Sequence, residues 1–261
     1  IYSVFQDSKG YIWSSSDVGV SRFDGHSFVA YNTSHGLPDN EVFSMFEDKA
    51  GRIWFATLNG KPGYYFEGVF HNERNDDLLK RCNTKGMVLK LFQQDDGRIV
   101  YCGGYKTILI DVERDEIEER KTEEGVVAAW KDPGNVIGAA AMSFGYINPG
   151  GFVPIRPIVK LAQTIQSITS GDTLIISSNR SLYFFNRHTG NLLHISTPLE
   201  EGNQYIFLKI MGNRLWTGTR SGVIVYEYPI LQKVKTYLKG RSVSSIMQDR
   251  DGGLWFSTFE E

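Results

Sequence analysis

One pattern returns along the chain at intervals close to forty residues. The segments Val4–Trp13, Met45–Trp54 and Ile246–Trp255 each run two apolar residues, Gln or Glu, Asp, two residues, a Gly, one residue, an aliphatic and Trp. Weaker copies lie between them. With the Trp column placed at Trp13, Trp54, Val100, Ile137, Ile175, Trp216 and Trp255, the spacings are 41, 46, 37, 38, 41 and 39 residues. A period of that size restricts a chain severely. Each unit is one supersecondary element that cannot bury its own faces, so the units must stack on one another.

The flanking columns say how they stack. The residue before the Trp column is aliphatic throughout: Ile12, Ile53, Ile99, Val136, Leu174, Leu215 and Leu254. Two residues after it every side chain is small: Ser15, Ala56, Cys102, Ala139, Ser177, Gly218 and Ser257. Three before it stand Gly10, Gly51, Gly97, Gly134, Asp172, Asn213 and Gly252. Gly, Asp and Asn are the residues that best tolerate a positive φ, so this column predicts a hairpin turn. The small column predicts close approach of neighbouring sheets, and the Trp column predicts plugs in the wedge between them.

Each unit reads as four short strands. In the first they fall at about 1–6, 11–16, 19–24 and 27–32, and the sixth repeats them at 207–211, 214–219, 222–227 and 232–237. Four-stranded units of this period predict an all-β fold, a β-propeller of antiparallel blades. The first half of the unit occurs seven times and the second half six, which predicts seven blades with the seventh incomplete and a ring frayed at its seam. The blades are expected over about 1–41, 42–86, 87–124, 125–162, 163–203, 204–241 and, in part, 242–261. The fourth lacks a strong plug and is marked chiefly by the turn Asn148–Gly151. The longer connection 72–85 has room for one helical turn around 75–80.

Composition agrees and excludes several functions. Aromatics at 13% and 27 glycines suit pleated sheets and tight turns. With 28 basic against 30 acidic residues there is no cationic surplus for nucleic acid. Cys82 and Cys102 make at most one bridge and read better as small buried residues. The longest apolar run, Val136–Met142, is far short of the roughly 20 residues of a membrane helix. No secretory leader is visible. The chain opens on Ile1 rather than Met, which reads as a segment of something longer. The five histidines have no metal-like spacing. Asp249, Asp251 and Glu260 have the look of a calcium loop, but Leu254 stands where that loop requires Gly. The glycine-rich stretches Cys102–Gly104 and Gly218–Gly222 lack the strand-to-helix setting of a phosphate cradle. No cofactor is implied.

The segments Gly36–Thr57 and Ser3–Asp24, with Asp-x-x-Gly-x-Ile-Trp followed by Gly-Val-x-Arg-Phe-Asp, resemble the two-component regulator propeller repeat. The resemblance extends over nearly the whole chain, through strong copies at Trp13, Trp54 and Trp255, a fair one at Trp216 and degenerate ones at Val100, Ile137 and Ile175. It implies the periplasmic or extracellular sensor region of a bacterial sensor histidine kinase of Bacteroidetes type, with downstream sensor and kinase domains as partners and a homodimer as a possible assembly. Only Gly218-Thr219 keeps the usual Gly-Thr pair after the plug. Neither a phosphoacceptor-histidine box nor an ATP lid is present, so no kinase activity is carried over.

Ligands on such rings sit over the turns joining strands two and three. Here those turns carry Asp17, Asn59, Lys106, Arg180 and Arg220, which differ from blade to blade while the framework columns repeat. A varied polar rim on a constant scaffold is what recognition by a repeat protein requires. Its mixture of Lys and Arg with Asp and Asn suits a small carboxylated or hydroxylated ligand, a carbohydrate or sugar acid. The leading expectation is a non-enzymatic ligand sensor. The rivals are a protein-interaction scaffold and a propeller lyase or dehydrogenase. The strand-one residues Ser3, Ser44, Lys90 and Ser245 do not supply the convergent ionisable groups the last would need.

Overall fold

The computed structural model describes residues 1–82, 86–88, 90–126, 128–132, 136–140, 144–154, 164–178, 180–195 and 199–259. These residues form seven antiparallel sheets in chain order. Blade one is Ser3–Gln6, Ile12–Ser15, Val20–Phe23 and Phe28–Tyr31. Blade two is Val42–Glu47, Ile53–Thr57, Tyr64–Phe66 and Val69–His71. Blade three is Lys90–Gln93, Ile99–Asp111 and Glu116–Val126. Its long middle element does the work of two strands. Ile99–Cys102 pairs inward, Lys106–Asp111 pairs outward, and the Thr107 hydroxyl reaches Cys102 Sγ at 3.2 Å across the turn between them.

Blade four is Ala128–Asp132, Val136–Ala140, Phe144–Asn148 and Gly151–Pro154. Blade five is Thr164–Ser170, Thr173–Ser178, Ser181–Asn186 and Leu192–Ile195. Blade six is Tyr205–Met211, Arg214–Thr219, Gly222–Glu227 and Gln232–Tyr237. Blade seven has two strands, Ser242–Gln248 and Leu254–Phe259. The fold is therefore a propeller of six four-stranded blades and a partial seventh. A one-turn helix, Asp77–Arg81, occupies the connection after blade two and is capped by the Asp76 carboxylate on Leu79 N–H. Among the described residues no helix is long and apolar enough to cross a membrane.

The first strands close a ring. Each packs against the first strand of the blade before and after it, and blade seven's packs on blade one's. The core is correspondingly divided into inter-blade layers. Trp13 packs on Val42, Met45, Ile53 and Phe55 of blade two, Trp54 on Leu91, Ile99 and Tyr101 of blade three, and Trp216 on Val243 and Ile246 of blade seven. Plugs thus face the following blade and the aliphatic column faces the preceding one. At Gly218 a Cβ would lie 1.9 Å from the Phe207 ring and 2.7 Å from Val243 O of the next blade, the close approach that the small column predicts.

Three features correct the sequence reading. In blade four Ile137 joins the layer with Val100, Cys102 and Leu109 of blade three, the behaviour of the aliphatic column rather than of a plug. The plug position is Gly138, and the space above it is filled from strand one by Trp130, which stands opposite Gly138 and packs on Leu174, Ile176 and Phe185 of blade five. Secondly, Asp172 and Asn213 do not take the positive φ. Gly171 (φ 54°) and Gly212 (φ 59°) take it, in two-residue loops closed by the pairs Ser170–Thr173 and Met211–Arg214. Positive φ at the first central residue is the type II′ choice, whereas Gly10, Gly51, Gly97 and Gly252 (φ 84–95°) sit fourth in five-residue loops. Gly134 lies outside the described residues. Thirdly, Trp255 is only half-buried and Leu254 is exposed, because blade seven has no outer strands here to cover them.

The repeated Gln/Glu-Asp pair acquires a role that the sequence did not reveal. The Asp carboxylate accepts the indole N–H of the plug six residues on, at 2.8 Å for Asp7–Trp13, 2.8 Å for Asp48–Trp54 and 2.7 Å for Asp249–Trp255. Its other oxygen accepts loop amides. The Gln or Glu before it, or in blade three the Gln93 that precedes Gln94, accepts the N–H of the loop residue after the Asp in the preceding blade: Ser8 on Glu47, Lys49 on Gln93 and, across the seam, Arg250 on Gln6. The carboxylate of Asp249 is thereby engaged by its own loop and indole, the opposite of an open calcium ligand; Glu260 lies outside the described residues.

Candidate functional site

Antiparallel strands laid out from the axis put alternate connections on opposite faces. The turns between strands two and three share one face, the upper, with the crossovers from blade to blade. The hairpins between strands one and two, and three and four, form the lower face.

Asp17, Asn59, Arg180 and Arg220 belong to upper-face turns, whereas Lys106, expected in such a turn, is already strand-paired with Lys121 because blade three runs through this corner as one long strand; most of the five are already engaged. Asn59 donates its N–H to Asp39 and its side-chain NH₂ to Pro38 O, and its carbonyl accepts from Thr57 Oγ1 and Lys61 N–H. Arg180 donates from Nε and Nη2 to Leu199 O at 2.8 and 2.5 Å, while its own carbonyl accepts Leu199 N–H. Arg220 meets the Gln204 amide, whose oxygen accepts from Nε and Nη2 at 3.0 and 3.1 Å when it faces the guanidinium. Lys106 pairs with Glu119 at 2.8 Å. Asp17 is exposed, and its charge adds to burial and Glu41 in raising the Tyr2 phenol above its ordinary range.

Asn59, Arg180 and Arg220 therefore tie their turns to the crossover segments 38–39, 199 and 204, and set the shape of the rim. Asn59 also lines a cleft of about 140 Å³ with Leu37, Pro38, Lys61 and Asn72. Nothing in the local pattern announces these partners, which lie 16–21 residues away in sequence and reach the turns only through the crossovers.

At the upper mouth of the channel the inner strands repeat one register position, opposite the small column. Ser3 faces Ser15, Ser44 faces Ala56, Lys90 faces Cys102, Gln166 faces Ser177 and Ser245 faces Ser257, while blades four and six place Ala128 and Phe207 there. Lys90 Nζ donates to Gln166 Oε1 at 2.8 Å. Burial draws the Lys90 ammonium below the usual lysine range.

The larger clefts open on the lower face around blade three. One of about 590 Å³ is lined by Arg81, Arg98, Asp111, Asp115 and Glu118, and one of about 390 Å³ by Lys49, Arg52, Asp95, Asp96 and Glu113. Their charges pair internally: Arg81 with Asp115, and Arg98 with Asp96 and Glu118. Arg120, ahead of Arg98, holds the Glu118 carboxyl below its ordinary range. Such self-neutralised surfaces have little left to offer a ligand. Both thiols are free, and burial pushes Cys82 up to about 12 and Cys102 up to about 11, which leaves them unreactive. Among the described residues no group of three His, Cys, Asp or Glu side chains is placed to hold a metal.

Comparison with known proteins now bears on this ring. The two-component regulator propeller family matches residues 36–59 and 237–260, the segments that bring the chain into blades two and seven and through their plugs. These two segments are similar to two-component regulator propeller repeats. Solved structures match the propeller over almost its full length. Among them is the extracellular domain of BT4673 from B. thetaiotaomicron, assigned to a hybrid two-component system, with a TM-score of 0.79 and 16% identity over 97% of this chain. Another is the extracellular domain of BT3049 of the same organism, with the same assignment, a TM-score of 0.77 and 16% identity over 98%. At that identity the likeness is one of fold. The chain spans 39% and 38% of the length of those two structures. No curated protein matches it by sequence.

Proposed function

We propose that this regulator propeller is a ligand-sensing input domain, working on the extracytoplasmic side of a bacterial two-component sensor and relaying binding to kinase domains elsewhere in the same protein. The observation that carries the reading is the pairing of regulator repeats at 36–59 and 237–260 with an upper rim whose polar residues change from blade to blade. The extracellular, two-component assignment of the structural relatives supports the compartment and the partner domains. The ligand class is a carbohydrate or sugar acid, suited by a rim of Asp17, Asn59, Lys106, Arg180 and Arg220 that mixes cationic hydrogen-bond donors with an acidic acceptor and an amide. Signalling then requires the ligand to favour one of two states of the protein, through rim shape, blade packing or the geometry of a homodimer. Arg180 and Arg220 fit that role well, because each fastens a rim turn to a crossover and a ligand competing for the guanidinium would loosen it.

The test is a thermal-shift screen of the chain against neutral and acidic oligosaccharides. A ligand at 100 times its Kd raises stability by about 2.7 kcal/mol. The expected result is a rise in Tm with an acidic glycan that shrinks at least tenfold in apparent affinity in Arg180→Ala and Arg220→Ala. An equal rise in both variants would remove these arginines from the site, and no rise with any glycan would remove the ligand class.

A further inference from the structure

Blades three and five are not neighbours in the ring, yet Lys90 and Gln166 meet at 2.8 Å. The bond therefore crosses the inner side of blade four, whose residue at this register is Ala128, paired with Ala140. Both partners belong to the tier at the channel mouth that also holds Ser3, Ser44 and Ser245. That tier offers hydroxyls, an amide and a single cation, beside the apolar Ala128 and Phe207.

The chemistry of Lys90 sets it apart from the other lysines of the ring. Lys106, Lys61 and Lys131 are paired with Glu119, Glu73 and Asp95. Lys209, also withdrawn from water, lies opposite Trp216 in the layer between blades six and seven and donates to Ile246 O at 3.0 Å, a strut inside the packing. Lys90 instead reaches past blade four to Gln166. Burial alone lowers its ammonium, with no carboxylate among the described residues opposing the effect. A neutral amide oxygen satisfies one of its three donors but does not balance its charge. A desolvated cation held in place by a neutral group, on the inner strands of the ring, is organised to receive an anion, which would form a charge-assisted hydrogen bond there.

We propose that the upper mouth of the channel is an oxyanion subsite, in which Lys90, positioned by Gln166, receives the carboxylate of a sugar acid while the tier serines face its hydroxyls. The proposal rests on the sensor reading above and names the group that reading recognises. A carboxylate is favoured over a doubly charged phosphate because the tier carries one cation. The upper mouth is also the face of the rim turns, so a sugar whose acid group enters the channel lies beneath Lys106, Arg180 and Arg220.

The experiment uses the whole chain labelled with ¹³C at lysine Cε. Lys90 is assigned by Lys90→Gln, a substitution that removes a buried charge and keeps a long polar side chain, so the fold is retained and checked by Tm. The probes are D-glucuronate, methyl glucoside and sodium sulfate. Glucuronate is expected to shift the Lys90 Cε signal and to raise the pH at which it titrates, with affinity falling at least tenfold in Lys90→Gln and several-fold in Gln166→Leu. Methyl glucoside is expected to leave the signal unmoved. An unmoved Lys90 signal in glucuronate, or equal glucuronate affinity in Lys90→Gln, overturns the subsite. A response to sulfate without one to glucuronate overturns the sugar-acid assignment. Glycans that bind with unchanged affinity to Lys90→Gln overturn the subsite while the sensor reading stands. Glucuronate bound at Lys90 and indifferent to Arg180→Ala and Arg220→Ala supports the subsite and removes the rim instead.

Discussion

The repeated aspartate shows how much one carboxylate can organise. Asp48 is 5% exposed and accepts from Ala50 N–H and Arg52 N–H at 2.9 Å, from Arg52 Nε at 2.6 Å and from the Trp54 indole at 2.8 Å. It folds the hairpin loop, fixes the rotamer of the plug and neutralises a guanidinium in one step. Removing it strands an indole N–H and a nearly buried cation together. Asp48→Ala is therefore expected to destabilise the protein by about 3–5 kcal/mol, the range for breaking a buried pair from one side. The matching change at the seam, Asp249→Ala, removes the same indole bond from a half-exposed plug and is expected to cost less. Chemical denaturation of the two variants compares them, and equal losses would show that the clasp gains nothing from burial. Lys90 is the complementary case, a charge that no neighbouring carboxylate among the described residues balances, and it stands at the candidate site rather than in the framework.

At the scale of strands and hairpins, stability depends on which side chains fill the wedge between blades. Gly218 and Phe207 form such a unit, since a methyl at 218 would sit 1.9 Å from the ring. Gly218→Ala is expected to cost about 1–3 kcal/mol, the usual penalty for overpacking. Phe207→Leu should recover part of that loss in the double variant, a coupling that a double-mutant cycle reads directly. Additive losses would mean that the ring does not occupy the space above Gly218. Blade four solves the same wedge differently, with Trp130 on strand one above Gly138. That exchange explains where the sequence was legible. The period, the strands and the six regular plugs could be read because local alternation along strand two preserves them. The shift by one residue at Ile137 could not, because a plug supplied from another strand leaves as its trace only a glycine opposite a tryptophan. The type II′ loops at Gly171 and Gly212 were misplaced by one for a related reason: a two-residue loop moves its positive φ relative to the plug. The rim could be assigned to one face by strand order alone. Its partners, and the meeting of Lys90 with Gln166 across 76 residues of chain, depend on closure of the ring.

Closure is the property of the whole molecule, and it is uneven. The latch that joins blade one to two and two to three recurs between blades seven and one, where Arg250 N–H meets Gln6 Oε1 at 3.0 Å. Arg250 adds a guanidinium bond to Asp7 O at 2.7 Å, and Ser244 Oγ donates to Ile1 O at 2.7 Å. What the seam lacks is the apolar layer beyond the inner strands. Trp255 stands 6.2 Å from Phe23, while Phe28 is 66% and Phe259 43% exposed. Polar latches between partly exposed groups contribute little each, about 0.5–1.5 kcal/mol, whereas a fully buried aromatic or aliphatic side chain contributes about 1.5–3 kcal/mol. The seam should therefore open well below the global unfolding free energy, as a local unit. Hydrogen exchange read by mass spectrometry is expected to show faster exchange in 242–259 and 1–6 than in the inner strands of blades two and six. Gln6→Ala combined with Arg250→Ala should accelerate those two segments further and leave Val42–Glu47 unchanged. The interior counterpart Gln93→Ala removes the same kind of latch where Trp54, Leu91 and Tyr101 remain packed behind it, and should change exchange little. If Gln93→Ala opens its interface as far as the seam variant opens the seam, the blades are joined by their latches rather than by their plugs, and the closure of the ring has to be explained from the loops inward.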